Sequence, residues 1–117
     1  MQTGLHPEAA AELRAAALWY DERRAGLGNE LVEEVRALMQ RIAASPSSYA
    51  TWPGLSRPAS PIRRAWVERF PYAVAFEVQA DRIFILAVAH AKRRPLYWLR
   101  RVGQGPAQQV PEPDGRQ

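Results

Sequence analysis

The stretch YAVAFEVQADRIFILAVAH, residues 72–90, decides the fold because it reads as two strands joined by a short turn. In its first half the larger side chains alternate with small or polar ones, as a strand with one buried face requires. The alternating side chains are Tyr72, Val74, Phe76 and Val78. A second apolar run extends from Arg82 to Ala89, after a link of only Gln79-Ala80-Asp81. So short a link predicts that the two strands pair antiparallel.

The flanking segments extend this hairpin on both sides. A third strand is predicted over residues 62–69, since only Phe70-Pro71 separates it from the hairpin, and the three strands then form an antiparallel meander. Residues 45–61 are rich in Pro, Ser and Gly and predict a connection with at most a short edge strand. Downstream, residues 95–101 predict one or two turns of helix, and residues 103–117 predict a disordered tail.

Two amphipathic helices are predicted over residues 6–44. The first begins at His6-Pro7, because proline suits the first helical position, and apolar residues then recur at helical spacing for about 16 residues. Gly26 and Gly28 break this pattern, and Asn29 is the expected N-cap of the second helix. Two such helices joined by a glycine loop predict an αα-hairpin whose apolar stripes share one surface.

The composition limits the classes of protein and of site. The chain of 117 residues contains no cysteine, which excludes a disulfide scaffold, a thiolate nucleophile and a cysteine-based zinc site. No apolar run approaches the roughly 20 residues of a membrane helix, and no secretory signal is visible. We therefore predict one cytoplasmic domain, residues 1–102, without membrane contact. Neither a metal-ligand spacing nor a phosphate-binding glycine loop appears, so we expect no metal and no cofactor.

Positive charge is concentrated in the second half of the chain. Residues 1–56 hold 5 arginines and 7 acidic residues, a net charge of 5 − 7 = −2, whereas residues 57–102 hold 10 basic and 3 acidic residues, a net charge of 10 − 3 = +7. Such asymmetry predicts an acidic or nucleic-acid partner for the second half. The alternative is a soluble basic domain without such a partner.

Five segments of the chain resemble the RelE/ParE superfamily of type II toxins. They are HPEAAAEL at 6–13, WYDERRAGLG at 19–28, SP at 45–46, RRAWVERFPYAVAFEV at 63–78 and AVAHAKRRPLYWLRR at 87–101. The last segment carries the pattern His-x-x-Arg-x-Pro-x-Tyr-Trp-x-x-Arg and looks like the ParE-like, plasmid-stabilisation side of the superfamily. Members open with a strand, but only five residues precede His6, so the resemblance implies a first strand that is short or missing.

The pattern and the resemblance together predict an α+β fold. In this fold the N-terminal αα-hairpin packs on a small antiparallel β-sheet, and a short helical turn ends the domain. The resemblance also implies a small toxin, encoded beside an antitoxin that neutralises it. Members either poison DNA gyrase or cut mRNA on the ribosome. We expect the antitoxin to bring an acidic, amphipathic segment and to form a hetero-oligomer with the toxin. A further alternative is a family member that has lost toxicity.

If the chain acts by binding, its candidate contact surfaces are the outer face of the helical hairpin and a basic C-terminal face. The candidate residues of the basic face are Arg63, Arg64, Lys92, Arg93, Arg94, Trp98, Arg100 and Arg101. Strand alternation places Arg63 and Arg64 on opposite faces of the sheet, so at most one of them joins the cationic surface. We expect the chain to turn at Pro95, with its rings inward and its guanidinium groups outward. For Trp98, packing on the sheet is favoured over contact with a partner.

If the chain is instead a nuclease, RNA cleavage without a metal requires proton transfer and cations around the phosphate. The candidates are Arg93 and Arg101 for the phosphate, and His90 or Tyr97 for proton transfer. His90 has the same strand parity as Phe84, Leu86 and Val88, which favours a structural role at the strand end over catalysis.

Overall fold

The computed structural model describes residues 2–55 and 61–104. Its strands are β1 (Gln2–Leu5), β2 (Arg63–Trp66), β3 (Tyr72–Gln79) and β4 (Arg82–His90), and its α-helices are α1 (Pro7–Arg23) and α2 (Leu27–Ala44). The four strands form one mixed sheet in the order β1-β4-β3-β2, and the helices cover one of its faces. This architecture confirms the predicted α+β class. No helix in the described part of the chain is long and apolar enough to cross a membrane.

The predicted meander is confirmed, because β2 pairs antiparallel with β3, and β3 pairs antiparallel with β4. Strand β2 is shorter than predicted. The chain leaves the sheet after Trp66, where the Val67 N–H donates to the Tyr72 carbonyl at 2.9 Å, and it turns through Arg69 at a φ of 70°. In the connection before β2, Thr51 forms an isolated bridge with Arg63, which is the expected short edge strand at its minimum length.

Strand β1 is the short first strand that the resemblance implies. It lies parallel beside β4, with Gln2 opposite Arg82 and Leu5 opposite Ile85. The His6 N–H continues the ladder by donating to the Ile85 carbonyl at 2.8 Å, and α1 then starts. Strand β1 therefore pairs with only the first half of β4, and the outer edge of β4 beyond Ile85 needs other partners.

The start of α1 matches the prediction, but the start of α2 does not. His6 is the N-cap of α1, and its Nδ1 accepts the Glu8 N–H at 3.0 Å. The predicted N-cap Asn29 is wrong, since α2 begins at Leu27 with Gly26 as its N-cap at a φ of 92°, a conformation that favours glycine. Gly28 lies buried inside α2, where a Cβ atom would overlap the carbonyl oxygen of Ala17 in α1. Gly28 therefore permits close packing of the two helices and does not break a helix.

The sheet is buried on both faces, whereas the sequence pattern predicts one buried face. The helix-side face holds Val74, Phe76 and Ile85. The opposite face holds Phe84 and Leu86, which are covered by the segment that follows β4. The covering and supporting side chains include Trp52, Leu55, Leu96, Tyr97, Trp98 and Val102. This second layer also explains why Glu77 is buried: its carboxylate accepts hydrogen bonds from the Gln79 side chain and from the Gly103 N–H.

A β-bulge changes the parity of β4 in its middle. Ala75 lies opposite Ala87 and Phe76 lies opposite Ile85, so Leu86 has no counterpart in β3. As a consequence Phe84 and Leu86 pack on the second face, whereas Val88 packs on the helix-side face. The predicted common parity of His90 with Phe84 and Leu86 is therefore wrong, and the structural role of His90 stays a prediction that no longer rests on that parity.

The segment after β4 contains the predicted helical turn, a single 3-10 turn at Leu99–Arg101. A second 3-10 turn, Pro46–Ser48, follows α2. Of the predicted disordered tail, residues 105–117 lie outside the described residues.

Candidate functional site

The turn after β4 presents several of the predicted cations. The Ala91 N–H donates to the Pro71 carbonyl at 2.8 Å, and the Arg93 N–H donates to the His90 carbonyl at 2.9 Å. The Lys92 N–H donates to His90 Nδ1 at 3.0 Å, so the neutral imidazole carries its proton on Nε2. Lys92, Arg93 and Arg94 are all exposed. Backbone bonds therefore fix the turn, and its basic side chains remain at the surface.

A cavity of about 210 Å³ opens beside this turn on the second face of the sheet. We call it the aromatic–arginine cavity. The side chains that define it are Trp52, Arg64, Trp66, His90, Arg93 and Arg94. Arg64 and Trp66 reach it because alternate residues of β2 point to the same face, whereas Arg63 points to the other face and donates to the Tyr49 carbonyl at 2.7 Å. The prediction that Arg63 and Arg64 lie on opposite faces is confirmed.

No carboxylate lines this cavity among the described residues. The Arg64 guanidinium lies 5.8 Å from the ring centroids of both Trp52 and Trp66, and the Arg93 guanidinium lies 3.9 Å from the Tyr97 ring centroid. These are cation–π distances. Within residues 2–55 and 61–104, neither these two arginines nor Arg94 forms an ion pair. The arginines that line the cavity therefore concentrate positive charge there, and no acidic residue of the described chain neutralises it.

A second, larger cleft of about 580 Å³ lies on the helix side of the same strand end. Its walls include Trp19 and Tyr20 of α1, and its rim includes Lys92. His90 and Arg93 line both the cleft and the aromatic–arginine cavity, so the end of β4 forms a ridge between them. The His90 ring meets Tyr72 edge to face at 5.1 Å between centroids, which holds it on this ridge.

Arg101 does not face outward, and that prediction is wrong. Only 3% of the residue is exposed. Its guanidinium donates to Glu12 Oε2 at 2.9 Å and to the Leu86 carbonyl at 2.9 Å, and it lies 3.2 Å from Glu8. Burial by itself would lower the pKa of Arg101, but the hydrogen bond to Glu12 and the charges of Glu12 and Glu8 raise it instead. Two acids of the same chain therefore neutralise this cation.

The side chains of Tyr97 and Trp98 are also buried in the protein interior. The Tyr97 hydroxyl donates to Glu12 Oε2 at 2.8 Å, and burial together with Glu12 raises the pKa of this phenol well above its usual range. A phenol with a raised pKa is a weaker proton donor and does not reach the phenolate form near neutral pH. Trp98 is fully buried and meets Trp52 edge to face at 5.0 Å. The favoured packing role of Trp98 is confirmed.

Arg100 does point outward, but it is paired. Its guanidinium binds Glu8 at 2.8 Å, with 66% of the side chain exposed. Of the predicted basic residues, the structure brings Arg64, Arg93 and Arg94 together at one cavity with Lys92 nearby, while Arg63, Arg100 and Arg101 bind groups elsewhere. We call Arg64, Lys92, Arg93 and Arg94 the cationic surface.

Two features of this region were not predicted. The first is Glu12, whose carboxylate accepts hydrogen bonds from both Tyr97 and Arg101. The sequence does contain an indication of this role, because Glu12 lies on the apolar stripe of the first helix, three residues after Ala9 and four before Ala16. Trp66 is the other, a tryptophan that is 53% exposed although it lies in a strand. No local signal marks that exposure, because the sequence does not show which residues cover the second face.

An apolar groove runs along the outer side of the helical hairpin, next to β1. Two adjoining cavities of about 460 and 340 Å³ share Leu5, Leu13 and Val32. Leu18, which is 66% exposed, lies on the wall of the larger cavity. We call this the hairpin groove.

Comparison with known proteins gives a family and a fold. A family model described as the ParE toxin of a type II toxin-antitoxin system, parDE, matches residues 4–95. Among solved structures, the chain is similar to a structure of the chromosomal ParDE toxin-antitoxin system from P. aeruginosa, with a TM-score of 0.66 and 20% identity. That likeness covers 79% of this chain and 97% of the other, and at this identity it shows the fold. No curated protein matches the chain.

Proposed function

The chain belongs to the ParE toxin family of type II toxin-antitoxin systems, and we propose that it binds DNA gyrase through the cationic surface. The observation that carries the proposal is the clustering of Arg64, Arg93 and Arg94 at one cavity whose described lining contains no carboxylate. Elsewhere, an exposed arginine such as Arg69 is held by Glu30 and Glu34. Unneutralised charge on a surface steers association with an anionic partner and rejects cationic ones.

The experiment combines a growth assay on expression with a gyrase supercoiling assay on the purified chain. We expect the wild type to slow growth and to inhibit supercoiling. The double variant Arg93→Glu/Arg94→Glu should lose inhibition by about tenfold or more, because it reverses the charge that meets the partner. Arg36→Glu is the matched control, since Arg36 is exposed on α2, away from the cationic surface, and within the described residues it pairs with Glu33. A wild type that affects neither growth nor supercoiling would contradict the proposal and favour a member that has lost toxicity.

Cleavage of mRNA on the ribosome is the second candidate, favoured by one observation: His90 and Arg93 line the same cavity. Against it, Tyr97 and Arg101 are bound to Glu12 inside the protein. Mapping of message 5′ ends after expression separates the two candidates. Cleavage that disappears in His90→Ala and persists in Arg36→Glu would favour the nuclease over gyrase binding.

Membership in this family implies an antitoxin partner, and we propose that its amphipathic segment lies in the hairpin groove. The groove supplies the apolar contact, and Arg14 and Arg36 at its borders suit acidic residues of that segment. Leu18→Glu should weaken copurification with the antitoxin encoded by the neighbouring gene. Leu99→Glu, a change at a leucine that is 40% exposed away from the groove, should leave copurification intact. Equal effects of both changes would contradict this placement.

A further inference from the structure

The aromatic–arginine cavity combines ring faces with hydrogen-bond donors. Trp66 offers a ring that is 53% exposed, and its strand neighbour in the cavity, Arg64, lies between this ring and Trp52. The charged lining groups, Arg64, Arg93 and Arg94, can only donate hydrogen bonds. A ligand that fits must therefore bring hydrogen-bond acceptors, negative charge and a flat ring.

Among the described side chains in the cavity, the two that carry an acceptor atom, His90 and Tyr97, already form hydrogen bonds within the protein. His90 Nδ1 accepts the Lys92 N–H, and the Tyr97 hydroxyl donates its proton to Glu12. The volume of about 210 Å³ is below the roughly 300–1,000 Å³ of pockets that enclose a whole drug-sized ligand. One planar ring fits inside, and the rest of the ligand must lie at the rim, where Arg93 and Arg94 are exposed.

We propose that this cavity binds one base of a single-stranded nucleic acid, stacked on Trp66, with the adjacent phosphates on Arg64, Arg93 and Arg94. Stacking on tryptophan needs a base whose face is free, which a duplex does not offer. Guanidinium groups match phosphate oxygens in a forked geometry. The contacts do not involve the 2′-hydroxyl, so DNA and RNA strands bind equally well. The inference rests on the proposed function, since the same cationic surface makes the contact and gyrase acts on DNA.

The test is fluorescence anisotropy of the full chain with labelled oligothymidine and oligouridine of about twelve nucleotides, a length within the usual site sizes. Trp66→Ala should weaken binding on the order of tenfold, as the loss of one stacked base predicts. Trp19→Ala is the matched control, because Trp19 is 50% exposed on α1, where Arg23 covers its ring at 3.4 Å and Tyr20 meets it edge to face. Trp66→Phe keeps a ring and should restore most of the affinity, which separates lost stacking from lost folding.

Salt dependence gives an independent measurement. Each phosphate neutralised on a single strand contributes about −0.7 to the slope of log K against log salt, so three arginines predict a slope of about −2. Arg94→Gln should reduce that slope by about 0.7, while Arg41→Gln, a change at an exposed arginine of α2, should not change it. The circular dichroism melting curves of the variants should match that of the wild type.

Several outcomes would overturn the inference. They are equal affinity for duplex and single strands, equal losses in Trp66→Ala and Trp19→Ala, a tenfold or greater preference for either sugar, or no binding at low salt. Gyrase inhibition without oligonucleotide binding would remove the inference and leave the proposed function standing. Oligonucleotide binding without toxicity would remove the proposed function and leave the nucleic-acid site standing.

Discussion

Glu12 joins three groups that are far apart in the chain. Its carboxylate accepts the Val88 N–H at 3.0 Å, the Tyr97 hydroxyl at 2.8 Å and the Arg101 guanidinium at 2.9 Å. The reason lies in the short first strand, because β1 stops at Leu5 and, among the described residues, leaves the outer edge of β4 beyond Ile85 without a partner strand. Glu12 satisfies the Val88 N–H and Arg101 satisfies the Leu86 carbonyl. The buried ion pair of Glu12 and Arg101 thus supplies the hydrogen bonds that a longer β1 would have made to β4.

Arg101→Glu should therefore unfold or strongly destabilise the domain. The change puts a third carboxylate beside Glu8 and Glu12, and breaking a buried ion pair costs about 3–5 kcal/mol of the free energy of unfolding. Urea denaturation followed by circular dichroism measures this cost. Arg100→Glu is the control, because Arg100 forms an exposed pair and pairs of that kind contribute less than about 1 kcal/mol. Equal stability of the two variants would show that the Arg101 pair is not structural.

Alkaline pH should destabilise the protein through two tyrosines. Burial and Glu12 raise the pKa of Tyr97, and burial raises the pKa of Tyr72. The folded state thus keeps protons that the unfolded state loses near pH 10, so this stability is complete below about pH 10 and falls as the pH rises through the folded pKa values. Tyr97→Phe should make the loss of unfolding free energy above about pH 10 less steep. An unchanged slope in a urea series at increasing pH would contradict this.

At the scale of elements, the approach of α1 and α2 depends on Gly28. A glycine pair between two apolar patterns looks like a loop, and Gly26 does end the link between the helices. Gly28 serves instead as a contact point, where the backbone of α2 touches Ala17 and its N–H donates to Asp21 at 2.8 Å. The second helix therefore starts earlier than the apolar pattern indicates.

Gly28→Ala should lower the free energy of unfolding by about 1–3 kcal/mol, although alanine is the better helix former. The cost arises because the added methyl group meets backbone that cannot move aside. Asn29→Ala is the control: Asn29 is an exposed residue within the first turn of α2, so its replacement should not show the cost of about 1 kcal/mol that a lost N-cap carries. Thermal melts of both variants measure these effects. A lower melting temperature for Gly28→Ala than for Asn29→Ala is expected, and the reverse order would contradict the roles assigned to the two residues.

At the scale of the whole molecule, the segment after β4 forms a second layer on the sheet. Trp98 fills that layer, and Gln104 ties its end to α1 through a hydrogen bond between its Oε1 and His6 Nε2 at 2.5 Å. The residues that look like a recognition motif are thus divided. Tyr97, Trp98 and Arg101 hold the domain together, while Arg93 and Arg94 remain available to a partner.

Trp98→Ala should destabilise the entire domain by about 3–5 kcal/mol, as expected for loss of a fully buried aromatic side chain. Unfolding should remain a single transition, since the layer shares its core with the sheet. Trp66→Ala, at a tryptophan that is half exposed, should change stability by no more than about 0.5 kcal/mol. Similar losses in both variants would mean that the second layer does not carry the stability assigned to it.

The α+β class, the helix start at Pro7 and the antiparallel meander were determined by the sequence alone. Each of these depends on local properties: proline at a first turn, a period of two along the strands, and links too short for any other pairing. The site was predicted in part, since Arg64, Arg93 and Arg94 do meet at one cavity.

Only the tertiary structure decided which charges face solvent. The partner of Arg101 is Glu12, 89 positions away, and the β-bulge at Leu86 that reverses the parity of β4 has no local signature. Burial depends on which distant segment covers a surface, and periodicity within one segment carries no information about that. Two neighbouring arginines, Arg100 and Arg101, therefore look alike in the sequence, yet one is exposed and the other is part of the core.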